Sequence, residues 1–213
     1  MVKFTQAMIT MFIFFILVAC NNEENVMDKV SEHIEATVEI EAAFEENQEK
    51  IYELEKEDEK IYNEIIGLGT EDYEKVVELS TEAMDLLEER MEYVKLEKES
   101  LDESRIEFEQ IAPLIDKISD PEEKEQAEKM YETMINRYDA YEVVYGNYAE
   151  SIELTKSLYS LFQQEEFKEN EVYAVIANVN DSYDEVLKAN ETFNKETVLY
   201  NSLKEEYYEM VSE

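Results

Sequence analysis

Two chemically capable side chains occur once each in this sequence, the thiol of Cys20 and the imidazole of His33. An imidazole needs partners to act as a base or a ligand, and no Cys, Ser or second His stands at catalytic or metal-binding spacing from His33. It reads as a packing or flanking residue of a helix. Carboxylates number 55, so pairs four residues apart, such as Glu53 and Glu57, arise everywhere and carry no specific signal for acid–base or metal work. The Gly67-Leu68-Gly69 segment lacks the Lys and Ser or Thr of a phosphate-binding loop and reads as a turn. With no nucleophile, metal cluster or phosphate loop, neither an enzyme nor a cofactor is expected. Tyrosine is the one residue type gathered in a way that suits binding, since eleven of the fifteen lie between Tyr131 and Tyr208. Tyr131, Tyr138, Tyr141, Tyr145 and Tyr148 recur at helical spacing, where rings pack inward while hydroxyls reach the rim. Core packing is their expected role. A groove for a glycan or a protein is the alternative, because sugars stack on aromatic faces.

The thiol belongs to a different chemistry. Lys3 supplies a weakly positive start, residues 7–19 are apolar except Thr10, and Leu17-Val18-Ala19-Cys20 closes the stretch. Thirteen helical residues rise only about 20 Å, short of the roughly 30 Å hydrocarbon core, so this is a signal segment and not a permanent span. The Leu-x-Ala-Cys ending resembles the bacterial lipobox, in which the thiol receives diacylglycerol and becomes the mature N-terminus. The expected organisation is a lipoprotein signal peptide at 1–19, a tether lipidated on Cys20 at 20–24, and one elongated helical domain at 25–213. Membrane attachment through lipid is expected to place the body on the outer face of a membrane. Two or three acyl chains make such attachment slow to release, whereas one holds only marginally. A single cysteine excludes a disulfide within the chain.

Composition bounds the body. A net charge of −36 in 213 residues repels nucleic-acid phosphates, so no nucleic-acid partner is expected, and it repels anionic lipid and anionic wall polymers as well. With 44% apolar residues the chain still has enough to bury and should fold. Three Gly, two Pro and no Trp leave little for turns or sheets, which points to long helices.

The elements follow from heptad spacing and from the chain's few breakers. A first helix runs from near Asn25 to the Gly67-Leu68-Gly69 turn, with Val30, Thr37, Phe44, Ile51, Asp58 and Ile65 seven apart. Thr70 suits the N-cap of a second helix. That helix carries Tyr73, Ser80, Leu87, Val94, Leu101, Phe108 and Ile115 in one column, and Val77, Met84, Met91, Lys98, Arg105 and Ala112 four later. Pro113 predicts a kink or an early stop. Asp120-Pro121-Glu122-Glu123 opens a third helix, with Asp as N-cap and Pro at the first helical position. Its seam joins Ala127, Met134, Tyr141, Tyr148 and Phe162 to Tyr131, Tyr138, Tyr145 and Tyr159. After a polar break at 163–170, a fourth helix places Val172, Val179, Val186, Phe193, Tyr200 and Tyr207 inward. Four helices of about 40 to 48 residues make an all-α, elongated antiparallel bundle or coiled-coil rod, closed or formed of two hairpins, of which a single bundle is the favoured form. Asp58, Lys98, Arg105, Asn190 and Lys204 interrupt the seams. They read as cross-helix pairs that set register, or alternatively as the walls of a hydrated cleft.

With its lipobox and this set of helices, the chain resembles the YkyA-like lipoproteins of Gram-positive bacteria, a family named for cell-wall binding. The likeness rests on Leu54-Glu55-Lys56-Glu57 through Ile61-Tyr62-Asn63-Glu64-Ile65-Ile66, the run on to Leu101, Pro113-Leu114-Ile115, and Tyr131 through Tyr141. It implies a lipid-anchored, extracytoplasmic helical protein whose partner is a cell-wall polymer or an envelope protein. Cys20 is the one site residue the resemblance carries over. Contact with polyanionic teichoic acid would call for bridging divalent cations and would then be sensitive to chelator. A helical scaffold or regulator that docks on a membrane enzyme or transporter is the alternative role.

Overall fold

The computed structural model describes residues 20–69, 72–166 and 168–211. The expected signal peptide and the expected cap Thr70 lie outside these residues, as does the side chain of Cys20. Helix α1 spans Cys20–Gly67, 48 residues and about 70 Å of rise. It begins at Cys20 and not near Asn25. Nothing in the sequence Asn21-Asn22-Glu23-Glu24 breaks a helix. Helix α2, Tyr73–Phe108, is entered through Asp72, whose Oδ2 accepts from the Gly69 N–H at 3.2 Å.

The predicted interruption at Pro113 takes the form of a 3-10 turn, Glu109–Ile111, followed by the short α3, Ala112–Ile115. Proline has no N–H to offer the carbonyl of Glu109 four residues back. The N–H of Ala112 bonds to that carbonyl instead, which is the tighter i to i+3 spacing. Helix α4, Pro121–Phe162, starts as its sequence predicts, with the Asp120 carboxylate accepting from the N–H groups of Glu122 and Glu123 at 2.8 and 3.1 Å. Helix α5, Glu169–Val211, completes the rod.

Helices α1 and α2 pair as one antiparallel hairpin, α4 and α5 as another, and the hairpins meet along α2 and α4. The backbones of α1 and α5 scarcely approach each other. The fold is therefore a bundle closed along three seams and open along the fourth, between the two forms the sequence allowed. Apolar side chains from both hairpins fill it. One cluster gathers Val30, Phe44, Phe108, Tyr138, Phe193 and Tyr207, and the other Ile51, Ile61, Leu87, Ile152, Tyr159 and Val186. Phe108 has no exposure and touches three rings, stacking on Tyr131 at 5.6 Å and meeting Tyr138 and Tyr200 edge-on at 6.3 and 5.9 Å.

The column from Val30 to Ile65 in α1 and that from Val179 to Tyr207 in α5 point inward as predicted, but the second column of α2 does not. Met84, Met91, Lys98 and Arg105 are only partly covered, and the buried column is the adjacent one, Ala83, Arg90, Glu97 and Ser104. A search for apolar repeats selects the methionines. The interior instead accepts polar side chains because α1, α4 and α5 supply partners for them. Lys98 and Arg105 bridge α2 to α4 from the flank, through Glu142 at 2.7 Å and Asp139 at 2.7 Å.

Candidate functional site

The open seam between α1 and α5 is a groove whose floor is made by α2 and α4. From Thr37 to Tyr62 on α1 it runs about 37 Å along the rod. Three cavities lie along it. The largest, about 500 Å³, is walled by Glu55, Asp58, Arg90, Tyr148, Tyr183 and Asn190. The middle one, about 220 Å³, includes Gln48, Tyr52, Glu97, Tyr141 and Tyr145, and a third of about 470 Å³ includes Glu41, Arg137, Asn194, Thr197 and Lys204. Glu55, Tyr148 and Asn190 border both of the first two cavities, and Gln48 and Phe193 both the second and third, so the three stand in a row along the seam, with Phe193 packed on Phe44 of α1 at 6.0 Å between the last two.

The lining is more apolar than polar, and helix spacing sets ionic or hydroxyl pairs into it at intervals. Arg137 of α4 grips Glu41 of α1 with both terminal nitrogens, at 2.8 and 2.9 Å, while its Nε donates to Thr197 Oγ1 of α5 at 3.0 Å. The same guanidinium lies 4.9 Å from the ring centre of Phe193. Further along, Tyr141 donates to Glu97 at 2.7 Å and Tyr148 to Glu55 at 2.5 Å. Asp58 accepts from Tyr159 at 2.5 Å and lies 3.5 Å from Arg90, whose other terminal nitrogen donates to Tyr183 of α5 at 3.1 Å.

Two of these groups are incompletely matched. Among the described residues, Arg90 Nε and Glu97 Oε1 are buried without a hydrogen-bond partner, a deficit of about 1–3 kcal/mol for a neutral group and more for a charged one. Burial pushes the Glu97 carboxyl up to about 7, against the opposing Tyr141 hydroxyl and nearby Gln48 amide, and Glu55 adds to the rise. Burial also raises Asp58, opposed by the hydrogen bond from Tyr159 and by Arg90.

The predicted aromatic residues divide into two sets. Tyr131 and Tyr138 belong to the core around Phe108, the Tyr138 hydroxyl lying 2.6 Å from Ser104 Oγ. Tyr141, Tyr145 and Tyr148 line the groove, the rings of Tyr141 and Tyr148 largely buried behind their hydroxyls. Of the polar seam residues, Asp58 and Asn190 meet in the largest cavity and Lys204 lines the third. His33 flanks the bundle, with Nδ1 2.6 Å from Glu107 of α2. Among the described residues no group of three His, Cys, Asp or Glu could hold a metal, and no helix is long and apolar enough to cross a membrane. Arg90, Glu97 and Arg137 were not singled out from the sequence. The available signal was the seven-residue column from Ala83 through Arg90, Glu97 and Ser104 to Ile111, which polar members disguise.

Comparison with known proteins agrees with this architecture. The family model named YkyA and described as "Putative cell-wall binding lipoprotein" matches residues 25–210. The chain is 32% identical over 194 residues to the "Uncharacterized lipoprotein YkyA" of Bacillus subtilis strain 168, covering 91% of this chain and 86% of that one. A crystal structure of a conserved Staphylococcus aureus protein of unknown function superposes with a TM-score of 0.78 over 90% of this chain and 96% of that chain. At 11% identity that likeness speaks to the fold alone. The chain belongs to the YkyA family of lipoproteins.

Proposed function

We propose that this YkyA-family lipoprotein is a non-enzymatic envelope protein, lipidated on Cys20, that holds an uncharged or cationic stretch of wall polymer in the groove between α1 and α5. The observation that carries the reading is the groove itself: a row of three cavities offering tyrosine rings and hydroxyls, the amides of Asn190 and Asn194, and carboxylates at intervals along about 37 Å. Those groups suit the hydroxyls and amides of a glycan. The lining is mixed, mostly apolar with Arg90, Glu97 and Arg137 buried beneath it, and an amphipathic sugar chain, with apolar ring faces and polar rims, suits such a mixture. The family description, which names cell-wall binding, supports the same reading. Anchoring by lipid on the outer face of the cytoplasmic membrane sets the rod between membrane and wall.

The test is co-sedimentation of residues 21–213 with purified sacculi, with and without teichoic acid, in calcium and in chelator. Saturable pelleting is expected, and Asn190→Trp, which fills the groove, should weaken it at least tenfold. Dependence on calcium or teichoic acid would identify a bridged polyanion as the ligand. Pelleting in no condition would overturn the reading in favour of a protein partner, for which exposed Val38, Tyr52 and Leu187 at the lips of the groove are the available apolar contacts.

A further inference from the structure

We propose that the middle cavity of the groove is a subsite for an alkylammonium group, with Glu97 and Glu55 supplying the charge and Tyr52, Tyr141, Tyr145 and Tyr148 the surrounding rings. The proposal deepens the groove reading, since it assumes that the groove is where the ligand lies. Its first support is the state of Glu97. The residue is only 6% exposed and lines the cavity, yet among the described residues its Oε1 has no hydrogen-bond partner. The cations that could have neutralised it are committed elsewhere. Lys98 binds Asp102 at 2.5 Å and Glu142 at 2.7 Å, Arg90 lies against Asp58 and Tyr183, Arg137 holds Glu41, and Lys56 stands over the Tyr52 ring at 4.2 Å. A carboxylate buried without a counter-charge is costly, and a cation entering the cavity would remove that cost.

The second support is the company it keeps. Four tyrosine rings border the cavity, and three of them already draw cations of the chain, Lys56 to Tyr52, Arg90 to Tyr148 and Lys98 to Tyr145, at 4.2, 5.5 and 5.9 Å. A cavity of about 220 Å³ has the volume of roughly seven waters, enough for an ammonium and a few attached carbons. Glu55, shared with the largest cavity, adds a second negative charge, so an anion is repelled and a neutral group leaves Glu97 uncompensated. A cationic substituent on a wall polymer satisfies the site, and it lets a chain of net charge −36 engage a wall without opposing its own field.

Ionisation of Glu97 then gates binding. The titratable or charged groups around it are Tyr52, Glu55 and, over Tyr52, Lys56 from α1, Lys98 from α2, and Tyr141, Tyr145 and Tyr148 from α4, while α5 contributes Asn190 and Phe193, which do not titrate. Only Glu97 is held near neutrality, at about 7. The ionised fraction therefore rises about tenfold between pH 6 and pH 8.

The experiment titrates tetramethylammonium, which does not itself ionise with pH, into the full chain in maltoside micelles, followed by saturation-transfer NMR with neutral tert-butanol as control. Saturable binding, about tenfold tighter at pH 8 than at pH 6, is expected for the cation and not for the alcohol. Glu97→Gln should weaken it at least tenfold, and Tyr52→Leu, at a position more than half exposed and so safe for folding, should weaken it several-fold. Equal binding by the parent chain and Glu97→Gln, or no saturable binding at either pH, overturns the subsite. If sacculi still pellet the protein in that case, only the subsite has failed. If Asn190→Trp leaves pelleting intact, the groove reading has failed with it.

Discussion

Glu97→Gln should stabilise the folded protein above neutral pH, and the size of the effect follows from the groove. In the unfolded chain a glutamate titrates near 4.5, whereas burial holds the folded carboxyl at about 7. Between these values the native state binds more protons than the unfolded one, so the stability that Glu97 contributes is complete below about pH 4.5 and is lost as pH rises through 7. A separation of about 2.5 units at 1.36 kcal/mol each corresponds to about 3 kcal/mol. Glutamine keeps an oxygen to accept the Tyr141 hydrogen bond of 2.7 Å and carries no charge. Urea unfolding at pH 5, 6, 7 and 8, followed by helical circular dichroism, should show the variant ahead of the parent by about 1 kcal/mol at pH 5 and by about 3 kcal/mol at pH 8. For a chain of this length that is about 6–12 °C in Tm. The other carboxylates titrate in both proteins and cancel in the difference. A difference that stays constant with pH, or a variant less stable than the parent at pH 8, would refute the assignment of a buried, uncompensated charge to Glu97.

Cys20→Ala should leave an uncleaved precursor without lipid, as read by mass shift and phase partitioning, and a processed, membrane-held product from that variant would contradict lipidation at this residue. Asp120→Ala removes the acceptor for the Glu122 and Glu123 N–H groups and should cost about 1 kcal/mol in urea unfolding. Phe108→Ala empties a fully buried ring site where four rings meet and should cost about 3–5 kcal/mol with helix content retained at low denaturant.

The long elements were legible because their signals are local. Asp120-Pro121 announces a helix start, Pro113 an interruption, and the columns of α1 and α5 keep apolar residues seven apart. The open seam was not legible, because which helices pair depends on how Gly67-Leu68-Gly69 and the 163–168 break turn the chain. The site was half legible. Tyrosine enrichment drew attention to Tyr141, Tyr145 and Tyr148, and Asp58 and Asn190 stood out as polar interruptions. Arg90, Glu97 and Arg137 did not, because a charged residue on a helix usually faces water. Only the arrival of Asp58, Tyr141 and Glu41 from other helices makes their burial tolerable.

Photo-crosslinking in living cells puts the central claim to its most direct test. A photoreactive amino acid at Leu187, exposed on the lip of the groove, is compared with one at Ile106, which is exposed on α2 and lines none of the groove's cavities. After irradiation, the Leu187 probe should give an adduct that glycan-cleaving muramidase collapses to a discrete band, and the Ile106 probe should not. Equal wall adducts at both positions, or adducts at Leu187 that are protein and resist muramidase, would contradict a wall-binding groove between α1 and α5.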